Sequence, residues 1–439
     1  PSFRQYEEMA WRKVFDEPRN VMTTPFLAKK RETLKQGVAI MRSYLCKSMP
    51  PARCSQMPRM KWSVLSRLSR LPSSLPVEKL LSRKKARKLG ELRLIRQSGL
   101  FDVRWYVGRY GRDESHSPLE HYWRRGADSG FDPGPSFSTS AYCLLYNDVV
   151  PSNMNPLAHY AAVGKELQRL CALPRLSTTS TPPRLCCLVH VFYPDLWPEL
   201  AVYLRSLVEF HFDLRINISE PCYSRQLEID IRREFPTATI KVSPNRGHDI
   251  GGQFFLLADI DFDDYDVFLL AHTKKAPQYD RRSVDAWRHG LLNALIGTPD
   301  IARENLSLFA TDRTLGCIGA ARHRGTGLAG NEAAYRHLLR ELCIAPRYHE
   351  PEFVAGTMLM TRSSVLKRLF EGLRDVPFEP ADGKPPEFHL DGQLEHAIER
   401  IIGSVVRDEA LRMGWRPVPR HPMPPALSVE RGEIAKPSC

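Results

Sequence analysis

From Leu185 onward the chain alternates short apolar runs with amphipathic stretches. Leu185 to Phe192 is an apolar run of strand length, and Leu196 to Phe210 has helical periodicity. Asp213 to Ser219 reads as a strand, Ser224 to Glu234 as a helix, and Ala238 to Val242 as a strand. A helix is predicted to begin over Gly252 to Leu257, and Asp266 to His272 is a fourth strand. Repeated β-α-β units imply an α/β domain with a mostly parallel sheet flanked by helices. Right-handed crossovers bring the strand ends to one edge. Those ends carry Tyr193-Pro194-Asp195, Ser219-Glu220, Asn245-Arg246-Gly247 and His272-Thr273-Lys274-Lys275.

Upstream the pattern changes. Phe101-Asp102 and Trp105-Tyr106 lead through Tyr110 to Pro118-Leu119, His121-Tyr122 and Gly126. The same order returns as Phe137-Ser138 and Ala141-Tyr142, then Tyr146, Pro156-Leu157, His159-Tyr160 and Gly164. Such a period implies stacked units, each a pair of short helices. A repeated position implies a repeated fold role, so His121 and His159 read as packing residues and not as a metal pair. The organisation expected is a basic, partly disordered or helical arm over 1–97 and a two-repeat helical module over 98–171. A Pro/Ser/Thr-rich linker over 172–184, the α/β domain over 185–415 and a Pro-rich tail over 416–439 follow.

Charge sharpens this division. Residues 1–100 hold 23 Lys and Arg against 7 Asp and Glu, so the whole-chain balance of +13 lies in that segment. The remainder is slightly acidic, which argues against a nucleic-acid partner. Leucines around Arg83-Lys84-Lys85-Ala86-Arg87-Lys88 suit either a membrane-surface helix or an ordinary solvated one. There is no apolar run of about 18 residues, so no transmembrane helix is expected. Pro1-Ser2-Phe3-Arg4 has no signal pattern and no initiator Met, so the chain reads as a possible fragment. The ten cysteines form no CxxC pair and read as reduced thiols of a cytosolic protein.

The candidate chemistry lies at the predicted sheet edge. Asn245, Arg246, Gly247, Asp249 and Gly251 form a loop between two strands. Gly, Asn and Asp allow tight turns that bring backbone N–H groups beside a ligand, and Arg suits phosphate. The plain alternative is a connector whose glycines only serve a turn. His272, Lys274 and Lys275 end a buried strand and could meet a diphosphate, or form a solvated turn. Trp287 can stack on a sugar or base and Arg288 can clamp phosphate; a helix Trp with an exposed Arg is the alternative. Gly356 and Thr357 allow close backbone approach in a strand-like run, Phe353 to Arg362, or simply pack there. In His389 to Arg400, Asp391 fits a helix N-cap, and Glu395, His396 and Glu399 fall in the next two turns. A carboxylate there can take a proton from an attacking hydroxyl. A capped surface helix is the alternative. A divalent cation such as Mg or Mn could manage diphosphate charge. No Asp-x-Asp stands at this strand end, and no metal ligands are assigned.

These blocks, in this order, resemble the rhamnan synthesis protein F family of bacterial polysaccharide glycosyltransferases. The matching pieces are Asn245 to Ile250, His272 to Lys275, Trp287-Arg288, Gly356 to Met358 and Asp391 to Arg400. One departure is His248 where the family usually has Arg, with Arg246 ahead of the Gly. The repeats in 98–168 look like modules attached to such transferases. The resemblance implies a GT-A-like fold and transfer of a sugar, typically rhamnose from dTDP-rhamnose, to a lipid-linked glycan acceptor. It also implies a cytoplasmic location, with a peripheral inner-membrane contact as a use for the basic arm. Carried over, Asn245, Asp249 and Gly251 would line the donor site. His272, Lys274 and Arg288 would face diphosphate, and Asp391 or Glu395 would be the base. A non-catalytic carbohydrate-binding or scaffold subunit is the alternative. A nucleotide-sugar modifying enzyme is a third reading, and without GxGxxG a redox cofactor is disfavoured.

Overall fold

Capping residues explain the helical region that comes first. In a computed structural model, residues 83–173, 182–275, 280–381 and 393–419 are described. The expectations for the arm up to Ser82, for Asp391 and for the tail from Arg420 lie outside them. Helix α1 (Arg83–Ser98) is followed by α2 (Val103–Tyr110), α3 (Pro118–His121), α4 (Thr139–Leu145) and α5 (Pro156–His159). Asp102 and Ser138 cap α2 and α4; Ser117-Pro118 and Asn155-Pro156 start α3 and α5. Both α3 and α5 run on into a π-helical turn. Tyr106 Oη meets His121 Nδ1 at 2.9 Å, and Tyr142 Oη meets His159 Nδ1 at 3.0 Å. A Cβ on Gly126 or Gly164 would overlap those tyrosine hydroxyls. The repeated Tyr, His and Gly thus make one packing contact twice. Helix α1 buries Glu91 against both segments, where it accepts from Trp123 Nε1 (2.8 Å) and the Asn155 amide (3.2 Å).

Residues 182–419 form an α/β sandwich. Its elements run β1 (Leu185–Val191), α6 (Trp197–Leu204), β2 (Phe212–Ser219), α7 (Arg225–Glu234), β3 (Thr239–Ser243), α8 (His248–Leu257) and β4 (Val267–His272). Next come α9 (Arg281–Ile296), α10 (Pro299–Thr311), β5 (Leu315–Ala320), β6 (Arg324–Gly325), α11 (Glu332–Glu341) and β7 (Phe353–Val354). The last are β8 (Leu359–Arg362), α12 (Ser363–Leu373), α13 (Leu394–Asp408) and β9 (Arg412–Arg416). Seven strands lie in the order β3-β2-β1-β4-β8-β5-β9. All neighbours are parallel except β8, which is antiparallel to β4 and β5. β1, β4 and β5 are buried along their whole length, as expected of strands covered on both faces. Among the described residues no helix is long and apolar enough to cross a membrane.

Three elements differ from the pattern-based expectation. The α-helix predicted from Leu196 ends at Leu204 and continues as a 3-10 turn. Helix α8 starts at His248, four residues early, because Gly247 turns left-handed (φ +65°) and its carbonyl accepts from the Gly251 amide at 2.8 Å. The run Phe353 to Arg362 is not one strand. Gly356 (φ +106°) and Thr357 (φ +55°) are left-handed and split it into β7 and β8.

Candidate functional site

Register brings three polar residues into one row where the parallel strands end. His190 of β1 pairs with Asn217 of β2 on one side and His272 of β4 on the other. Residues in register share a face, and helix α8 covers this one. It descends that far because a Cβ on Gly252 would overlap His190 Nδ1. His190 Nδ1 lies 3.1 Å from Asn217 Nδ2, and its Nε2 lies 3.4 Å from Ser219 Oγ. Burial drives this imidazole down to about 4, so it is neutral. Thr273 Oγ1 accepts from the amides of Phe192 (3.0 Å) and Tyr193 (2.9 Å), tying the end of β1 to the end of β4.

The glycine loop is held by its own chain. The Gly247 amide donates to Glu379 O, the Ala381 amide to Asn245 O, and Arg246 Nη1 to Phe378 O at 2.8 Å. A Cβ on Gly247 would overlap the Phe378 ring, and one on Gly251 would overlap the Arg246 carbonyl. Gly247 and Gly251 therefore serve chain contacts. Arg246 faces away from the strand row, onto a cavity of about 590 Å³ shared with Phe254, Phe378 and Arg374.

On the other side of the loop lies a chain of polar contacts. Asp249, in the first turn of α8, places Oδ2 3.4 Å from His272 Nε2. The same nitrogen lies 2.8 Å from Gly356 O, and His272 Nδ1 lies 3.2 Å from Thr273 O. The Gly356 amide donates to Glu399 Oε1 at 2.6 Å, and the Thr357 hydroxyl to the same oxygen at 3.1 Å. Glu399 Oε2 is 3.3 Å from Arg400 Nη1. Burial pushes the Glu399 carboxyl up, outweighing the Gly356 amide and the charge of Lys274. Burial also pushes Asp249 up, but the charges of His272 and Lys274 overcome it and hold this carboxyl below the usual range. His272 is pushed down by burial against the pull of Asp249.

The cations divide into engaged and available ones. Arg288 is buried; it reaches Glu199 Oε1 (2.7 Å) and Asp285 Oδ1 (2.8 Å), and donates to Lys274 O (2.9 Å). It therefore shapes the turn after β4 and is not positioned to face diphosphate, contrary to the reading of Trp287-Arg288 as a clamp. Trp287 is also occupied, since its Nε1 donates to Ala355 O at 2.9 Å. Lys275 pairs with exposed Asp195 at 2.5 Å. Lys274 is different: its ammonium sits 4.2 Å from the centre of the Trp287 ring. No carboxylate among the described residues lies within ion-pair distance of it.

Helix α13 brings Glu395 and His396 to the same edge. Glu395 Oε1 is 3.5 Å from His248 Nε2, and the His248 and His396 rings lie 6.4 Å apart, nearly parallel. Asp391 lies outside the described residues, and the N-cap position of α13 is Gln393. The contacts thus bring together Asp249, His272, Gly356, Thr357 and, through α13, Glu399. Glu395 and His396 join by way of His248. Arg246 lines the cavity on the far side of the loop, and Asn245 is buried with its carbonyl accepting from the Ala381 amide. Sequence reasoning gave no site role to His190, Asn217 or Glu199, and placed Glu399 only as one carboxylate of the His389 to Arg400 set. His190 carried a usable signal, a polar residue inside an apolar run; the others depend on contacts distant in sequence. Among the described residues no three His, Cys, Asp or Glu side chains converge as a metal-binding set.

The chain resembles two proteins called WxcX from two strains of Xanthomonas campestris pv. campestris, each 29% identical over 261 residues. The aligned part is 58% of this chain and 36% of each relative, so the chain spans about a third of their length. The model of the family described as rhamnan synthesis protein F matches residues 158–411, from the second repeat to the start of β9. That match covers more than half of the chain and takes in every residue of the edge just described, so this protein belongs to the rhamnan synthesis protein F family.

Proposed function

We propose that the chain is a glycosyltransferase that moves a deoxyhexose, rhamnose first among them, from a dTDP-linked donor to a growing bacterial surface polysaccharide. Its α/β domain is read as a GT-A-like donor domain. The open edge where β1 and β4 end is the kind of place where such sheets take ligands. Lys274 carries this reading. It is a half-buried ammonium with no carboxylate partner among the described residues, held over an aromatic ring whose own N–H is already used. An ammonium in that setting is completed by an anion, and a diphosphate fits beside the α8 N-terminus, which has no side-chain cap. Arg288 contributes by fixing the Lys274 carbonyl. Acceptor activation needs a carboxylate at this edge, and Asp391 and Glu395 are the candidates the sequence offers.

The test is a thermal-shift series on the intact chain with dTDP, UDP, GDP and CMP, each with and without magnesium or manganese. A ligand at about 100 times its Kd stabilises the native state by about 2.7 kcal/mol. The expected outcome is a rise in Tm with dTDP that Lys274→Ala reduces. If none of the four nucleotides shifts Tm, the donor site is lost and a carbohydrate-binding or scaffold role takes its place.

A further inference from the structure

Glu199, Glu399, Glu395 and Asp249 are the carboxylates at or beside this edge whose side chains are less than a quarter exposed among the described residues, and three are engaged. Glu199 holds Arg288 and His289. Glu399 accepts from the Gly356 amide and the Thr357 hydroxyl on one oxygen and faces Arg400 with the other. Glu395 is 5% exposed and faces His248. Asp249 is the fourth. Its one direct partner is His272 Nε2, at 3.4 Å, which is long for a hydrogen bond, and that nitrogen lies closer to Gly356 O. Asp249 Oδ2 is buried without a hydrogen bond, while the side chain as a whole keeps 21% of its surface open. A largely buried, ionised carboxylate short of donors is costly unless something supplies them. A hydroxyl group is a fitting donor, because a carboxylate accepts only.

We propose that Asp249 is the carboxylate that receives the proton of the attacking acceptor hydroxyl, with His272 as its positioning residue. The assignment rests on the transferase reading. In the step, the acceptor O–H bond breaks and its oxygen forms the new bond to the anomeric carbon. The anomeric C–O bond to the diphosphate breaks, and its electron pair leaves on the nucleoside diphosphate. The proton ends on Asp249. His272 is fixed between the carbonyls of Gly356 and Thr273 and lies beside the inner oxygen of Asp249 at 3.4 Å, so it limits where the carboxylate can swing and leaves the outer oxygen to the acceptor. Lys274, on the same turn as His272, is placed for the leaving diphosphate, so base and leaving-group contacts come from adjacent elements.

The experiment compares wild type, Asp249→Asn and Asp249→Ala in the intact chain. It reads dTDP binding, and dTDP release from dTDP-rhamnose with octyl rhamnoside as acceptor. General-base removal lowers rate by about 10²- to 10⁴-fold. Asp249→Asn is expected to keep dTDP affinity within about threefold while release falls by that much, as general-base loss predicts. Formate is expected to restore part of the rate to Asp249→Ala, a recovery that a merely structural role would not give. Full release by Asp249→Asn overturns the assignment and leaves the transferase reading standing. Loss of dTDP binding in Asp249→Asn overturns it too, making the carboxylate a donor contact. A wild-type chain that neither binds nor releases dTDP, nor acts on the other nucleotides, overturns both.

Discussion

His190 is buried and Glu399 half-buried at the same sheet edge, and desolvation drives them in opposite directions. His190 is neutral in the folded chain because its imidazole is pushed down to about 4 by burial. In the unfolded chain the same ring titrates near 6.5. The unfolded state therefore binds more protons between those values, and stability falls as pH drops from about 6.5 toward 4. The loss assignable to His190 is roughly 3 kcal/mol once pH lies below both values. His323, also driven down to about 4 by burial, adds a second contribution in the same window. Urea unfolding of wild type across pH 4 to 7 is expected to show this slope, and His190→Gln a flatter one. Equal slopes for the two proteins would mean that His190 is not held neutral beside Asn217 and Ser219. Gly252 belongs to the same argument. It has no Cβ because His190 and Asn217 occupy that space, so the glycine records a packing need that the loop sequence alone leaves ambiguous.

At the scale of elements, the β7–β8 connection is held from several directions. Trp287 Nε1 donates to Ala355 O, the Ala355 amide to His323 O, and Glu399 takes both the Gly356 amide and the Thr357 hydroxyl. Two successive left-handed residues, one of them a threonine, persist because these contacts hold them. Glu399→Ala leaves a buried amide and a buried hydroxyl unpaired, at a cost of about 1–3 kcal/mol. Hydrogen exchange at the Gly356 amide should then speed up well beyond the global change, and unaltered protection there would show that Glu399 does not hold the turn. The parallel strands β1 and β4 were legible in the sequence as buried apolar runs ending in polar residues, and β2 by its alternation of apolar and polar positions. The break in Phe353–Arg362 was not, because it depends on Glu399, more than forty residues away. Nor was the place of β8 between β4 and β5, since strand order follows from long-range pairing and no local pattern encodes it. The same limit applies to the site. The blocks at the edge could be found in the sequence, but the engagement of Arg288 by Glu199 spans 89 positions and reverses its apparent role.

Charge is distributed along the molecule in two very unequal parts. Residues 1–82 hold 16 Lys and Arg against 6 Asp and Glu, whereas the rest of the chain is close to balanced. The edge with Asp249, His272 and Lys274 belongs to the balanced part, so the anion binding proposed there does not need the basic arm. A membrane surface bearing a lipid-linked acceptor would give the arm a partner, since each Lys or Arg near an anionic surface contributes about 1 kcal/mol. The intact chain is therefore expected to float with vesicles containing phosphatidylglycerol and not with neutral phosphatidylcholine vesicles. Salt near 1 M shortens the Debye length to about 3 Å and should release it. A chain beginning at Arg83 keeps the helical repeats, the α/β sheet and the basic run Arg83 to Lys88 but loses most of the net positive charge, and it should float markedly less. That shortened chain should still bind dTDP as well as the intact one does, because the anion site and the arm are separate in sequence and in charge. Equal flotation of the two chains would remove the arm from any membrane role.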